Sequence, residues 1–311
     1  MNENSYDIII IGAGPGGLTA AIYAARDGHK TLILEKGICG GLVNMAHLIE
    51  NYPGFPDGIR GSELMELFSK QAERFGAENY RFEEVKEVKP TGDGKITVRT
   101  DKDEYTASAV IIASGSVPKK LGIPGEEELV GKGVSYCAVC DGAFFEGLDV
   151  AVIGCGNSGL QEGEALLDIA KSVTFVEFLP YIHGEKILQE RIGKSDKAKF
   201  FINHELVSID GEGQVESITI KDRAGGEEKK IEVGGVFMYV GFKPNTAFLN
   251  GLVELDEKGY IITDDAMATS VRGIFAVGDV RSKAIRQITL ACADATTAAI
   301  NAAKYIKLLK S

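Results

Sequence analysis

The first apolar run, Tyr6 to Ile11, is short and β-branched, and it stops at Gly12-Ala13-Gly14-Pro15-Gly16-Gly17. An alanine-rich stretch follows to about Gly28, and a second apolar run, Thr31 to Leu34, ends at Glu35, 23 residues after Gly12. This succession predicts strand, tight turn, helix and strand. It occurs again at Val150 to Ile153, Gly154-Cys155-Gly156-Asn157-Ser158-Gly159, a helix to about Ala170, and a strand Val173 to Val176 ending at Glu177, once more 23 residues after the first glycine. Each half continues into alternating strands, Lys95 to Thr100 in the first and Val215 to Lys221 and Lys230 to Val233 in the second. Each returns through an apolar strand, Val110 to Ala113 before Gly115 and Val236 to Val240 before Gly241. Pro118 to Gly125 and Gly241 to Pro244 read as paired linkers. The expected fold is therefore α/β, with two Rossmann-like dinucleotide-binding domains, the second (118–244) inserted into the first (1–117 and 245–311), and with relative motion about the linkers.

Composition narrows the partners. The chain has 311 residues, 38 of them glycine, and a formal net charge of −11. The glycines exceed the usual ~7% and cluster beside apolar runs, as they do where backbone lies against a ligand. The negative charge disfavours nucleic acid and anionic membrane. The uncharged stretch from Ile8 to Ala25 is broken in its middle by glycines, so it reads as strand and helix rather than a membrane span. The polar start, with two acids and no basic residue before Ile8, lacks the charged beginning of a secretory signal, which points to the cytoplasm.

A glycine-rich turn between strand and helix lets a pyrophosphate reach backbone N–H groups at a helix N-terminus. An acid at the end of the next strand suits an adenosine ribose. The first copy has both, so it reads as a nucleotide site. Cys137-Ala138-Val139-Cys140 has the spacing of a reversible disulfide, and Asp141 beside it could move a proton or cap the next turn. Half a zinc site is the rival reading, but the other cysteines are isolated and the four histidines show no paired spacing, so no metal is expected. Cys155 and Cys292 read as packing residues, and so does Cys39 beside Gly40 and Gly41.

Taken together, the Gly12–Gly17 turn, the Gly40-Gly41 loop, Glu50-Asn51-Tyr52-Pro53-Gly54, Cys137 to Asp141, and Gly273 to Asp279 with Arg286-Gln287 resemble the low-molecular-weight thioredoxin reductases. That resemblance implies FAD in the first domain, lined by Gly12, Gly14, Pro15, Gly17, Glu35, Lys36, Gly40, Gly41, Leu42, Asn51, Val85, Gly115, Gly278, Asp279, Arg286, Gln287 and Ile288. It implies Glu35 on the ribose, Asp279 on the ribitol, and Arg286 and Gln287 at the isoalloxazine edge. It further implies Cys140 as the sulfur nearest the flavin, Cys137 as the attacker of thioredoxin, Asp141 as the proton donor and acceptor, and a homodimer.

One departure concerns the electron donor. Members that use NADPH follow the second nucleotide strand with arginines that grip the 2′-phosphate; here the run is Glu177-Phe178-Leu179-Pro180-Tyr181-Ile182-His183. A phosphate beside Glu177 without a cation should be repelled by a few kcal/mol, so NADPH is a poor donor. The chain resembles the ferredoxin-dependent subgroup, with NADH as the alternative because Gly154, Gly156 and Gly159 remain. Gly163 counts against NADH as a weak point in the helix. Ferredoxin gives one electron at a time, and a flavin can hold the first until the second arrives. Lys186, Arg191, Lys194, Lys197 and Lys199 form the best basic patch for such a partner. A flavin dithiol oxidase using oxygen would employ the same motif in reverse.

Overall fold

The computed structural model describes residues 4–92 and 94–309, and the side chains of all of these except 79–81. The chain divides into two compact units, 1–44 with 49–117 and 243–311, and 45–48 with 118–242. The return crossing thus falls two residues before the boundary expected from sequence, and residues 45–48 go with the second unit, which no pattern in the sequence indicated.

In the first unit β1 (Ser5–Ile11) leads through α1 (Pro15–Arg26) to β2 (Thr31–Glu35), followed by α2 (Gly61–Arg74), β3 (Glu78–Arg81), β4 (Val85–Pro90), β5 (Ile96–Thr100) and β6 (Glu104–Ile112). The sheet runs β3-β2-β1-β6-β5-β4. β6 pairs parallel with β1 on one side and is shared between two strands on the other: its first half pairs antiparallel with β5, and Val110 to Ile112 pair parallel with a late strand, Ile274–Ala276. Ile8 to Ile10 and Ala109 to Ile112 are fully buried, as expected of central parallel strands covered on both faces. The crossing strand β7 (Ser116–Pro118) pairs with its returning counterpart Phe242–Pro244 as a two-stranded ribbon.

The second unit opens with β8 (Val134–Ser135) and the one-turn helix α3 (Ala138–Asp141). It continues with β9 (Asp149–Ile153), α4 (Asn157–Ile169), β10 (Ser172–Glu177), α5 (Lys186–Ile192) and β11 (Ala198–Ile202). β12 (His204–Asp210), β13 (Ser217–Asp222) and β14 (Glu228–Glu232) form a separate antiparallel sheet, and β15 (Gly235–Met238) returns to the main one. That main sheet is parallel, in the order β11-β10-β9-β15-β8. Its two faces carry separate apolar clusters, one around Phe175, Phe237 and Leu166, the other around Val176, Met238 and Ile218. After the crossing strand β16 (Phe242–Pro244) the chain closes the first unit with β17 (Ile274–Ala276) and the long helix α6 (Ile288–Leu309).

The repeated strand–helix–strand units are thus present in both halves. Gly163 does not interrupt α4, contrary to the expectation of a weak point. A Cβ there would overlap the ring of fully buried Phe175, so the glycine is what lets the helix lie close on β10.

Candidate active site

In the first unit the ends of β1, β2, β6 and β17 converge on one edge of the sheet, where an α/β sheet offers its crevice. A Cβ on Gly12 would overlap the Ala113 carbonyl and one on Gly17 would overlap the Gly12 carbonyl, so both glycines are required for α1 to sit against the strands. Gly14 differs: a Cβ there would find only the Gly40 carbonyl oxygen, at 4.0 Å. The turn is therefore tight at its first and last glycine and open at the middle one, the cradle a pyrophosphate needs. Pro15 starts α1, where its missing N–H costs nothing.

Glu35 is pinned by two backbone donors, Ala13 N–H to Oε2 at 2.9 Å and Gly37 N–H to Oε1 at 2.8 Å. Gly40 donates to the Ala13 carbonyl at 2.8 Å and Gly41 lies against Gly14, which brings the Gly40–Leu42 loop over the turn. Lys36 is exposed and 4.0 Å from Glu84. Val85 belongs to the apolar core. Asn51 donates to the Gln287 side chain at 3.4 Å. Gly115 lies at the first crossing, where its carbonyl accepts from Asn245 N–H.

A 3-10 turn, Gly278–Val280, carries Asp279, whose carboxyl is pushed up chiefly by burial, against the pull of Lys283 and Arg286. Asp294 on α6 anchors this turn. It accepts from Gly278 N–H at 3.1 Å and pairs with Arg281 at 2.7 Å and Lys283 at 3.0 Å. Arg286 lies over the Tyr260 ring at 4.1 Å, yet its buried Nε has no hydrogen-bond partner, and Ile288 begins α6 just beyond. The open cradle, the doubly held carboxylate, the half-buried Asp279 and an orphaned guanidinium nitrogen suit a large anionic dinucleotide with polar ring edges.

In the second unit Cys137 and Cys140 are joined as a disulfide. Cys137 is 6% exposed, whereas Cys140 is exposed and donates its N–H to the Cys137 sulfur at 3.1 Å. Ser135, buried at the end of β8, donates to the Asp141 carboxylate at 2.6 Å and accepts from Cys137 N–H at 3.0 Å. Asp141 makes no side-chain cap on the turn that follows it, so the capping alternative falls away. Tyr239 accepts from Ala138 N–H at 3.0 Å. The Cys155 thiol is pushed up to about 12 by burial and by the neighbouring Glu177 charge, in keeping with a packing role. Cys292 is also raised by burial, against hydrogen bonds with Thr19 and Tyr52.

The second glycine turn repeats the first at its ends: a Cβ on Gly154 would overlap the Tyr239 carbonyl, and one on Gly159 the Gly154 carbonyl. Glu177 repeats Glu35, accepting from Cys155 N–H at 2.7 Å and Leu179 N–H at 2.9 Å. The copies diverge at the middle. A Cβ on Gly156 would lie 2.9 Å from His183 Nε2, and Gly184 N–H donates to the Cys155 carbonyl, so the chain folds its own segment over the turn. Glu177 is 3% exposed, with His183 Nδ1 3.7 Å away. Arg223, just after β13, stacks on Phe178, the residue after this acid, at 3.7 Å and donates to its carbonyl, a contact that the sequence did not indicate. Hairpin packing brings it there from 45 positions away. The basic patch is also thinner than its sequence suggests. Lys197 donates to the carbonyls of Leu167 and Ala170, Lys186 is 3.7 Å from Glu190, and Arg191 is 3.8 Å from Glu164.

Two nucleotide-type folds with a disulfide at a helix start define a class of electron-transferring enzyme. The chain belongs to the pyridine nucleotide-disulphide oxidoreductase family, whose model matches residues 6–295. FAD is its cofactor. The chain is 44% identical over 309 residues to the thioredoxin reductase of Bacillus subtilis, covering 99% of this chain and 97% of that one. Among solved structures it resembles Lactococcus lactis thioredoxin reductase, with a TM-score of 0.95 and 42% identity over 97% of this chain and 99% of that one. It is also similar to a ferredoxin-flavin thioredoxin reductase from Clostridium acetobutylicum, at 28% identity and a TM-score of 0.53, with 99% of each chain covered.

Ser135, Tyr239 and Asp294 were not among the residues the sequence singled out. Each makes a contact that only folding brings about, and no local motif marks them. Among the described residues no helix is long and apolar enough to cross a membrane.

Proposed function

We propose that the protein is an FAD-dependent thioredoxin reductase, working as a homodimer, whose Cys137–Cys140 disulfide reduces thioredoxin and whose electron donor is not NADPH but a ferredoxin-type protein. The observation that carries the donor reading is the contrast between the middle glycines. Gly14 faces open space, while the half-exposed His183 side chain lies beside Gly156 and the neighbouring Glu177 is almost completely buried.

In this reading the first unit holds the FAD pyrophosphate at the Gly12–Gly17 turn, the ribose at Glu35, the ribitol at Asp279 and the ring edge at Arg286 and Gln287. FAD, when bound, supplies the electron pair that opens the disulfide. Cys137 accepts an N–H hydrogen bond from Cys140, which favours negative charge on its sulfur and suits it to attack a partner disulfide. Cys140 resolves the mixed disulfide. Asp141, oriented by Ser135, takes and returns the proton that the sulfurs exchange.

The test is an anaerobic titration of the oxidised holoenzyme with NADPH, NADH and reduced ferredoxin in turn, followed by flavin absorbance and thioredoxin thiol release. Ferredoxin is expected to bleach the flavin and yield thioredoxin thiols. Rapid bleaching by NADPH would overturn the donor reading, and bleaching by NADH would move it to the alternative.

A further inference from the structure

Glu162 on α4 is a buried acid close to the dithiol turn that the steps above leave without a role. It is 6% exposed, its Oε2 has no hydrogen-bond partner, and the backbone N–H groups of Val139 and His47 face its carboxyl. Val139 lies between the two cysteines. Both amides between the sulfurs are thus directed at α4 or its neighbourhood, Ala138 N–H at the Tyr239 hydroxyl and Val139 N–H at Glu162, while Cys140 N–H goes to sulfur.

We propose that Glu162 is a positioning residue that holds a proton for the Cys137/Cys140 pair, taking one up when the disulfide opens and releasing it when the disulfide reforms. This rests on reading that disulfide as the working redox centre. The step balances. Two electrons from the reductant break the S–S bond, one sulfur gains a proton and becomes a thiol, the other remains a thiolate, and a solvent proton moves onto Glu162 to offset the new negative charge.

The surroundings allow it. Burial pushes the Glu162 carboxyl up to about 7, and the Val139 and His47 amides pull it down by less. The other titratable groups facing this pocket are Tyr239, whose phenol is raised by burial and by the Glu162 charge, and Asp141 on α3, whose charge also reaches Tyr239. The Arg191–Glu164 pair from α5 sits two residues along α4, on the opposite side of the helix. Among the described residues no lysine or arginine acts on the Glu162 carboxyl, so a thiolate added nearby favours its protonation.

The experiment equilibrates the oxidised holoenzyme and its Glu162→Gln variant with reduced and oxidised dithiothreitol at several values between about pH 7.5 and 8.5, and counts protein thiols by alkylation. Dithiothreitol releases two protons per disulfide it reduces in that range. A protein that takes up two protons gives a pH-independent equilibrium constant, and one that takes up a single proton gives a constant rising about tenfold per pH unit. The wild type is expected to be nearly flat and Glu162→Gln to rise about tenfold per pH unit. Equal slopes would overturn the proposal, whereas a disulfide that never exchanges with dithiothreitol would overturn the redox reading beneath it. A second measurement does not depend on the variant folding: in the infrared difference spectrum of reduced minus oxidised wild type, a protonated-carboxyl band should appear and persist in Asp141→Asn. Its absence from the wild type would equally refute the idea.

Discussion

Glu35 and Glu177 hold the same pair of backbone donors in the two halves, so replacing each by alanine gives a controlled comparison. Either change removes two charge-assisted hydrogen bonds. Ala13 and Cys155, whose amides lose an acceptor, are both fully buried, and an orphaned buried amide costs about 1–3 kcal/mol, so both variants should lose stability to a similar degree. Flavin affinity should separate them. Glu35 is partly exposed beside the open Gly14 and can accept from a ribose, and losing hydrogen bonds to a charged acceptor, at about 1.5–3 kcal/mol, weakens binding by roughly tenfold to a hundredfold. Glu177 is sealed, and its loss should leave flavin affinity unchanged. The assay is fluorescence titration of each apoprotein with FAD at a temperature where circular dichroism shows all variants folded. Equal loss of affinity in both variants, or wild-type affinity in Glu35→Ala, would refute the assignment of one open and one closed acid.

Replacing Cys140 by serine should leave flavin reduction intact and abolish steady-state thioredoxin reduction; persistent turnover would show that the sulfur roles are wrong. Asp294→Asn should destabilise the first unit by about 3–5 kcal/mol in urea unfolding, because Arg281 and Lys283, with side chains only 12% and 13% exposed, lose their shared counter-charge. Glu162 also makes stability depend on pH. Its carboxyl is higher in the folded state than unfolded, so the folded protein keeps a proton that the unfolded chain has released, and stability declines as pH rises from about 4.5 through about 7. The full decline is about 3 kcal/mol, and Glu162→Gln should lack it when denaturation midpoints are compared at acidic and alkaline pH with the disulfide closed.

Much of the architecture could be read from the chain because the deciding signals are local. The glycine turns at Gly12 and Gly154, the β-branched runs before them and the acids 23 residues on each lie within one βαβ unit, and all three recur. The cysteine pair was equally legible. What escaped was whatever depends on distant segments meeting. His183 over Gly156, Arg223 on Phe178 and the burial of Glu177 arise from a loop and a hairpin packing together. The same cause hid Ser135, which orients Asp141 from a neighbouring strand end, and Asp294, which ties down the turn before α6. Lys197 looked like a free surface charge until it proved to hold two helix carbonyls.

The tight glycines of the second turn have a consequence for how such proteins diverge. Gly154 and Gly159 let α4 lie against its sheet whatever ligand is present, so selection for a well-packed fold alone would preserve them after the nucleotide had been abandoned. A glycine fingerprint of this kind therefore reports on helix packing as much as on a bound ligand. The middle glycine carries no such packing demand, and there the His183 side chain from the next loop lies beside the turn.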